Sequence, residues 1–168
     1  MKLIIINGPC GVGKSTLAAR LHNEMPLSFL LDIDAQSKFI SHYREYREER
    51  WEMYLAISSA IIDTCLKLGR DVIVEKMIYD PVVIDNFINI GKIYNADIRE
   101  IIIWASKDVV MNRAEERGYR DESLLTREKC EDFWEKINSI KGSRTDAILI
   151  DADRDEDQVF KDLINSVK

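Results

Sequence analysis

The chain has 168 residues, of which 46% are hydrophobic and 32% charged, with a formal net charge of −6. That length and apolar fraction suit one compact α/β domain and exclude a disordered chain. The acidic balance favours a small substrate over nucleic acid, and the three scattered cysteines (Cys10, Cys65, Cys130) argue against zinc or a disulfide framework and for a reducing, cytoplasmic compartment.

Leu3 to Asn7 reads as a buried parallel strand. Its apolar run is too short for a signal sequence, and no stretch of about 18 apolar residues predicts a membrane span. Lys14 to Glu24 has helical spacing, with Leu17, Ala18 and Leu21 on one face. Ser28 to Ile33 is a second strand, and Asp34 opens a helical stretch of mixed charge that continues through Arg50. Trp51 to Leu68 is a long amphipathic helix stopped by Gly69. Asp71 to Glu75 is a third strand, and Asp80-Pro81 opens the next helix with proline at its first position. Ile98 to Trp104 is a fourth strand, in which Trp104 reads as core. Ser106 caps a helix to about Glu116, which "GYRDESLLT" interrupts, and another helix runs from about Thr126 to Ile140. Ala147 to Asp151 is a fifth strand, and a final helix ends the sequence. Buried strands alternating with helices predict a parallel sheet covered on both faces. Ligands in such sheets sit at the carboxyl ends of the strands.

At the first of those ends stands Gly8-Pro9-Cys10-Gly11-Val12-Gly13-Lys14-Ser15, a full match to G-x-x-x-x-G-K-[ST] between a strand and a helix. Gly8 and Gly13 let the backbone curl close to phosphate. The backbone from Gly8 through Cys10, Gly11, Val12, Gly13, Lys14, Ser15 and Thr16 would then cradle anionic oxygens at the helix start. Lys14 would reach the β- and γ-phosphates, and the Ser15 hydroxyl would sit on Mg²⁺. The chain has no N-K-x-D for guanine, no transporter serine-glycine signature, and too little length for a motor. A small phosphotransferase remains.

"GPCGVGKSTLAARL", "LDIDAQ", "KLGRDVIVEKMI" and "IIIWASKDVVMNRAEERGYRDESL" together resemble the P-loop kinases, notably the gluconate kinase, shikimate kinase, polynucleotide 5′-kinase and antibiotic phosphotransferase branches. The resemblance spans about residues 2 to 155. It implies a three-layer P-loop NTPase fold with a five-stranded parallel sheet of order 2-3-1-4-5. It also implies a single kinase domain over residues 1–168 with a mobile lid at about 114–128. ATP and Mg²⁺ are the cofactors expected, with a small-molecule phosphoryl acceptor, no membrane, and a monomer or homodimer.

Alternation puts Asp32 and Asp34 on the same side of the second strand. In the resembling kinases an aspartate here takes the acceptor hydroxyl's proton or orients that hydroxyl, which implies Asp34 as base and Asp32 beside a Mg²⁺-bound water or one layer further out. Asp34 as a plain helix N-cap is the alternative. Polynucleotide kinases place an arginine three residues later, where this chain has Ser37 and then Lys38. Glu75 matches the acidic end of a Walker B strand, able to hold Mg²⁺-bound water or to touch substrate, with a solvated strand-end glutamate as the alternative. Arg113 and Arg117 lie one helical turn apart. The resemblance brings Arg117 and Arg120 onto the phosphates and Arg113 nearer the base; the alternative is surface pairing with Glu115, Glu116, Asp121 and Glu122. Arg154, after the fifth strand, would lie near adenine, although a charged helix start explains it equally. The stretch from Ser37 to Tyr54, with His42, Tyr43, Arg44, Tyr46, Arg47, Arg50 and Trp51, could stack a base or sugar and pair with a phosphate. A solvated helix laced with Glu–Arg pairs is the preferred reading for most of these residues, and His42 reads as structural. Two further functions fit the same motifs: a 5′-hydroxyl polynucleotide kinase, and a non-catalytic nucleotide-binding regulator.

Overall fold

The structure is a computed structural model that describes residues 1–116, 118 and 126–168. Its strands are β1 (Lys2–Asn7), β2 (Phe29–Asp32), β3 (Val72–Glu75), β4 (Asp97–Trp104) and β5 (Ile148–Asp151). Its helices are α1 (Lys14–Glu24), α2 (Arg47–Lys67), α3 (Pro81–Ile93), α4 (Lys107–Glu116), α5 (Arg127–Ser143) and α6 (Glu156–Ser166), with a 3₁₀ helix at Asp34–Phe39. The strands form one parallel sheet in the order β2-β3-β1-β4-β5, as the resemblance implied.

β1 is the central strand, and its side chains alternate between two cores. Ile4 and Ile6 pack with α1, α4 and α6, through Leu17, Leu21, Val110 and Leu163. Leu3 and Ile5 pack with α2 and α3, through Ile62, Leu66, Ile84 and Phe87. All four β1 residues are fully buried, which is worth about 1.5–3 kcal/mol for each such side chain. The helices therefore cover both faces, and the all-apolar reading of β1 follows from burial on both sides. α5 serves both cores, with Cys130 on one side and Ile140 on the other.

Several helix ends form as their sequences dictate. Asp80 caps α3 through the Val82 amide at 3.0 Å, with Pro81 at the first position. α2 ends in Leu68 and then Gly69 at φ 71°. Ser106 occupies the cap position of α4, where its carbonyl accepts from the Val110 amide. Its hydroxyl is turned the other way and donates to Asp153, 3.1 Å away.

Two expectations are corrected. The helical stretch expected from Asp34 through Arg50 is broken: the 3₁₀ helix ends at Phe39, Ile40 is extended, and His42 takes φ 53°. The break has a physical cause. Ser41, His42, Arg44, Glu45 and Tyr46 are all exposed, so that segment has no apolar stripe to hold a helix against the core. Trp104 is half-buried rather than core, tilted at 41° against Trp134 with 4.7 Å between ring centroids and capped by the Lys141 ammonium at 4.0 Å.

Candidate active site

The turn from β1 into α1 is shaped by two left-handed glycines. Gly8 has φ 149°, and a Cβ there would run into the Ile103 carbonyl of β4. Gly13, at φ 91°, immediately precedes α1. Gly13 gives α1 no side-chain cap and the first turn carries no acidic residue, and a hollow of about 60 Å³ lined by Gly11, Gly13, Lys14, Ser15 and Thr16 lies at this helix start. This cradle fits an anion. Asn7 anchors it from below. Its Oδ1 accepts from the Gly8 amide at 2.8 Å and the Ile78 amide at 2.9 Å, and its Nδ2 donates to the Ile78 carbonyl at 2.7 Å. One buried amide thus ties the loop to the segment after β3.

Lys14 is buried at 8% exposure, and its ammonium donates to the Pro9 carbonyl at 2.9 Å. Burial pulls its pKa down, against the raising fields of Glu75, Cys10 and Asp34, and Lys76 adds to the lowering. Glu75 is buried at 6% exposure. Burial pushes its carboxyl up, opposed by Lys14 and the Ser15 hydroxyl and reinforced by Asp32 and Asp34. Ser15 Oγ donates to Glu75 Oε2 at 3.3 Å. Parallel pairing sets Glu75 opposite both Ile6 of β1 and Asp32 of β2, so Asp32, Glu75 and the loop stand side by side at the strand ends.

Asp34 reaches this group by a different route from the one expected. β2 ends at Asp32, and Ile33 is already helical at φ −66°, so strand alternation does not extend to Asp34. Asp34 does not cap the turn either. Asp32 does so, accepting from the Ala35 amide at 3.0 Å. The exposed Asp34 carboxylate is instead ion-paired with the Lys76 ammonium. At position 37, where an arginine would suit a polynucleotide, the Ser37 hydroxyl donates to the Asp34 carbonyl at 2.8 Å.

A second hollow of about 140 Å³ adjoins the loop, and Arg113 and Arg154 both line it beside Gly11, Val12 and Ala152. The fold thus brings together the two arginines expected near the base. Arg154 is also held by Asp162, 2.6 Å from its Nη2, and by the Asp151 carbonyl. Arg117 and Arg120 lie outside the described residues.

Sequence reasoning missed Asn7, Lys76 and the polar seam beside the 3₁₀ helix, where buried Gln36 donates to buried Ser58 at 2.7 Å. An asparagine ending an apolar strand was a readable signal for the first. Lys76, directly after a strand-end glutamate, offered a weaker one. The Gln36–Ser58 contact joins residues 22 apart and has no local signature.

A family model described as "AAA domain" matches residues 3–139. The chain belongs to this family. Its fold is also that of solved P-loop kinases. It is similar to a gluconokinase from Sinorhizobium meliloti 1021 (TM-score 0.71, 13% identity, 99% of this chain and 91% of that one). It is similar to the tunicamycin resistance protein of Deinococcus radiodurans (TM-score 0.67, 21% identity, 99% and 95%). It is also similar to a deoxyadenosine kinase from M. mycoides with products dCMP and a flexible dCDP bound (TM-score 0.59, 16% identity, 98% of each).

The donor set suits a hard cation held largely by phosphate and water. Among the described residues no cluster of three or more His, Cys, Asp or Glu could cage a metal, while the Ser15 hydroxyl and Glu75 carboxylate meet beside the cradle. Mg²⁺ in phosphate sites uses few protein oxygens in this way. No described helix is long and apolar enough to cross a membrane.

Proposed function

We propose that this protein is an ATP- and Mg²⁺-dependent kinase that transfers the γ-phosphoryl group to a hydroxyl of a small molecule. The supporting observation is one of placement: the Asp34 carboxylate is ion-paired with Lys76, the residue that follows Glu75, and the Glu75 carboxylate accepts from Ser15 of the phosphate cradle. A donor site and a carboxylate able to take a proton thus share one neighbourhood.

In this reading the backbone of Gly8 to Thr16 holds the phosphates. Lys14 leaves the Pro9 carbonyl for the β- and γ-oxygens, which offer it the anionic partner its buried position lacks. Ser15, Asp32 and Glu75 would hold the metal and its waters, and bound Mg²⁺ supplies charge neutralisation across the phosphate oxygens. The acceptor oxygen attacks the γ-phosphorus in line as the bond to the β–γ bridging oxygen breaks, and Asp34 takes the hydroxyl proton. Arg117 and Arg120 would close over the transferring group from the lid. Arg113 and Arg154 would flank the base.

An acceptor screen with γ-labelled ATP tests this proposal. Label should move from ATP to a hydroxyl compound, and Lys14→Ala should abolish the transfer while the circular dichroism spectrum is retained. Tight ATP binding with no acceptor labelled, or undiminished turnover in Lys14→Ala, refutes the kinase reading.

A further inference from the structure

Arg50 lies in the first turn of α2, one residue before Trp51 and beside the 3₁₀ helix that carries Asp34. We propose that its guanidinium is the anion anchor of the acceptor site, so that the acceptor is a hydroxyl compound bearing a phosphate or carboxylate group. This inference rests on the kinase reading above.

Three observations carry it. First, Arg50 has no carboxylate partner among the described residues, although the chain carries 30 acidic residues against 24 basic ones. The Glu–Arg lacing expected of this helix does not extend to it. Second, the guanidinium is half-buried and under-bonded. Nη1 donates to the Tyr43 carbonyl at 2.8 Å, while the buried Nε has no acceptor. An N–H withdrawn from water without an acceptor is costly, and a planar oxyanion satisfies a guanidinium fork better than any single backbone oxygen. Third, the cation is preorganised, standing 5.7 Å from the Tyr43 ring centroid and 5.6 Å from that of Tyr54. Aromatic faces of this kind hold an arginine in place and reduce its hydration.

The place is also right. The buried Tyr54 phenol is hydrogen-bonded to the Ser37 side chain of the 3₁₀ helix, and the charges of Arg50 and Asp34 both act on it. The neighbouring Trp51 ring lies under the Lys76 ammonium, which is itself paired with Asp34. Because Lys76 already neutralises Asp34, the Arg50 charge remains for something brought in from solution. A purely structural arginine, holding the Tyr43 turn, would affect stability without affecting acceptor choice.

Matched acceptors tested on the full chain with γ-labelled ATP separate these roles: glycerol against glycerol 3-phosphate, glucose against gluconate, and nucleosides against their 5′-monophosphates. We expect at least ten-fold higher kcat/KM for the anionic member of a pair, and the pair that is labelled tells phosphate from carboxylate. Arg50→Gln should raise the acceptor KM ten-fold or more, with the KM for ATP within two-fold of wild type. Arg50→Lys should recover part of the loss. Equal or better use of the neutral members by the wild-type chain overturns the proposal whatever the variants do. So does a loss in Arg50→Gln that is the same for both members of a pair. If the wild-type chain binds ATP and labels nothing, the kinase reading fails first, and the anchor fails with it.

Discussion

The Lys76 ammonium is ion-paired with the Asp34 carboxylate and lies 5.9 Å from the centroid of the Trp51 ring. The pair bridges 42 residues of sequence and joins the end of β3 to the turn after β2. Its lysine end is largely covered, at 15% exposure, whereas its carboxylate end is open, at 69%. One carboxylate oxygen is held by the lysine, and in the proposed reaction the other would meet the incoming hydroxyl. Asp34→Asn should therefore lower turnover by about 10²–10⁴-fold, the usual contribution of a positioned base. Lys76→Met should lower it by about ten-fold, through Asp34. Steady-state kinetics on the double variant check the link: Asp34→Asn with Lys76→Met should be no slower than Asp34→Asn alone. Additive losses would show that Lys76 acts independently.

Cys10 and Cys130 should differ sharply in reactivity. Burial, and then the neighbouring Cys10 thiol, push the Cys130 thiol up to about 12. Alkylation requires the thiolate, and at pH 8 a thiol of that pKa is ionised to about one part in 10⁴, rising ten-fold per pH unit. Cys130 should thus resist iodoacetamide at pH 8 in the folded protein and react once denaturant is added. Cys10, half-buried in the phosphate loop, should react first, and ATP should protect it. Peptide mass mapping reads both. Prompt native-state labelling of Cys130 would contradict the packing described for α5.

Two glycines should respond oppositely to alanine. Gly8→Ala places a methyl group against the Ile103 carbonyl at a left-handed φ, and should cost about 2–3 kcal/mol or prevent folding. Gly142 lies within α5 with nothing near its missing Cβ, so Gly142→Ala should stabilise by about 0.5–1 kcal/mol. Urea titrations measure the two side by side.

Arg144 ends α5 in a clamp on two other elements. Its Nε and Nη2 donate to Glu100 of β4 at 2.9 and 2.7 Å, and its Nη1 donates to Asp85 of α3 at 2.6 Å. Glu100 is only 11% exposed. Arg144→Met would leave that carboxylate unpaired and should cost about 2 kcal/mol, part of the loss seen when one partner of a buried pair is removed. The variant should regain much of this stability when Glu100 is also replaced by glutamine. A urea midpoint unchanged in Arg144→Met would mean the clamp is idle.

Features encoded within a few consecutive residues were legible beforehand. The loop from Gly8 to Ser15 announces its own geometry, because glycine positions and a following helix dictate where the N–H groups point. β1 and β3 are apolar on both faces because helices cover both, and the same alternation separates the two cores. Pro81 and Asp80 start α3 through local hydrogen bonding alone. Order along the sheet was not legible in this way. It came from the family resemblance, since periodicity says that strands are parallel and buried but not which strands adjoin.

What only the tertiary structure decided lies in contacts between residues distant in sequence. Asp34 was placed by strand alternation, but β2 stops at Asp32 and a turn carries Asp34 to Lys76. Arg50 read as one charge on a solvated helix, yet the break at His42 folds Tyr43 back onto it. Lys14 and Glu75 were each named from motifs, but their mutual field depends on β1 and β3 being neighbours in register. The sequence by itself determined the phosphate cradle, the alternation of elements and the acidic strand ends, because backbone conformation and side-chain period are local. The surroundings of Asp34 and Arg50 were settled by packing, because charge pairing and desolvation depend on what the folded chain brings within a few ångströms.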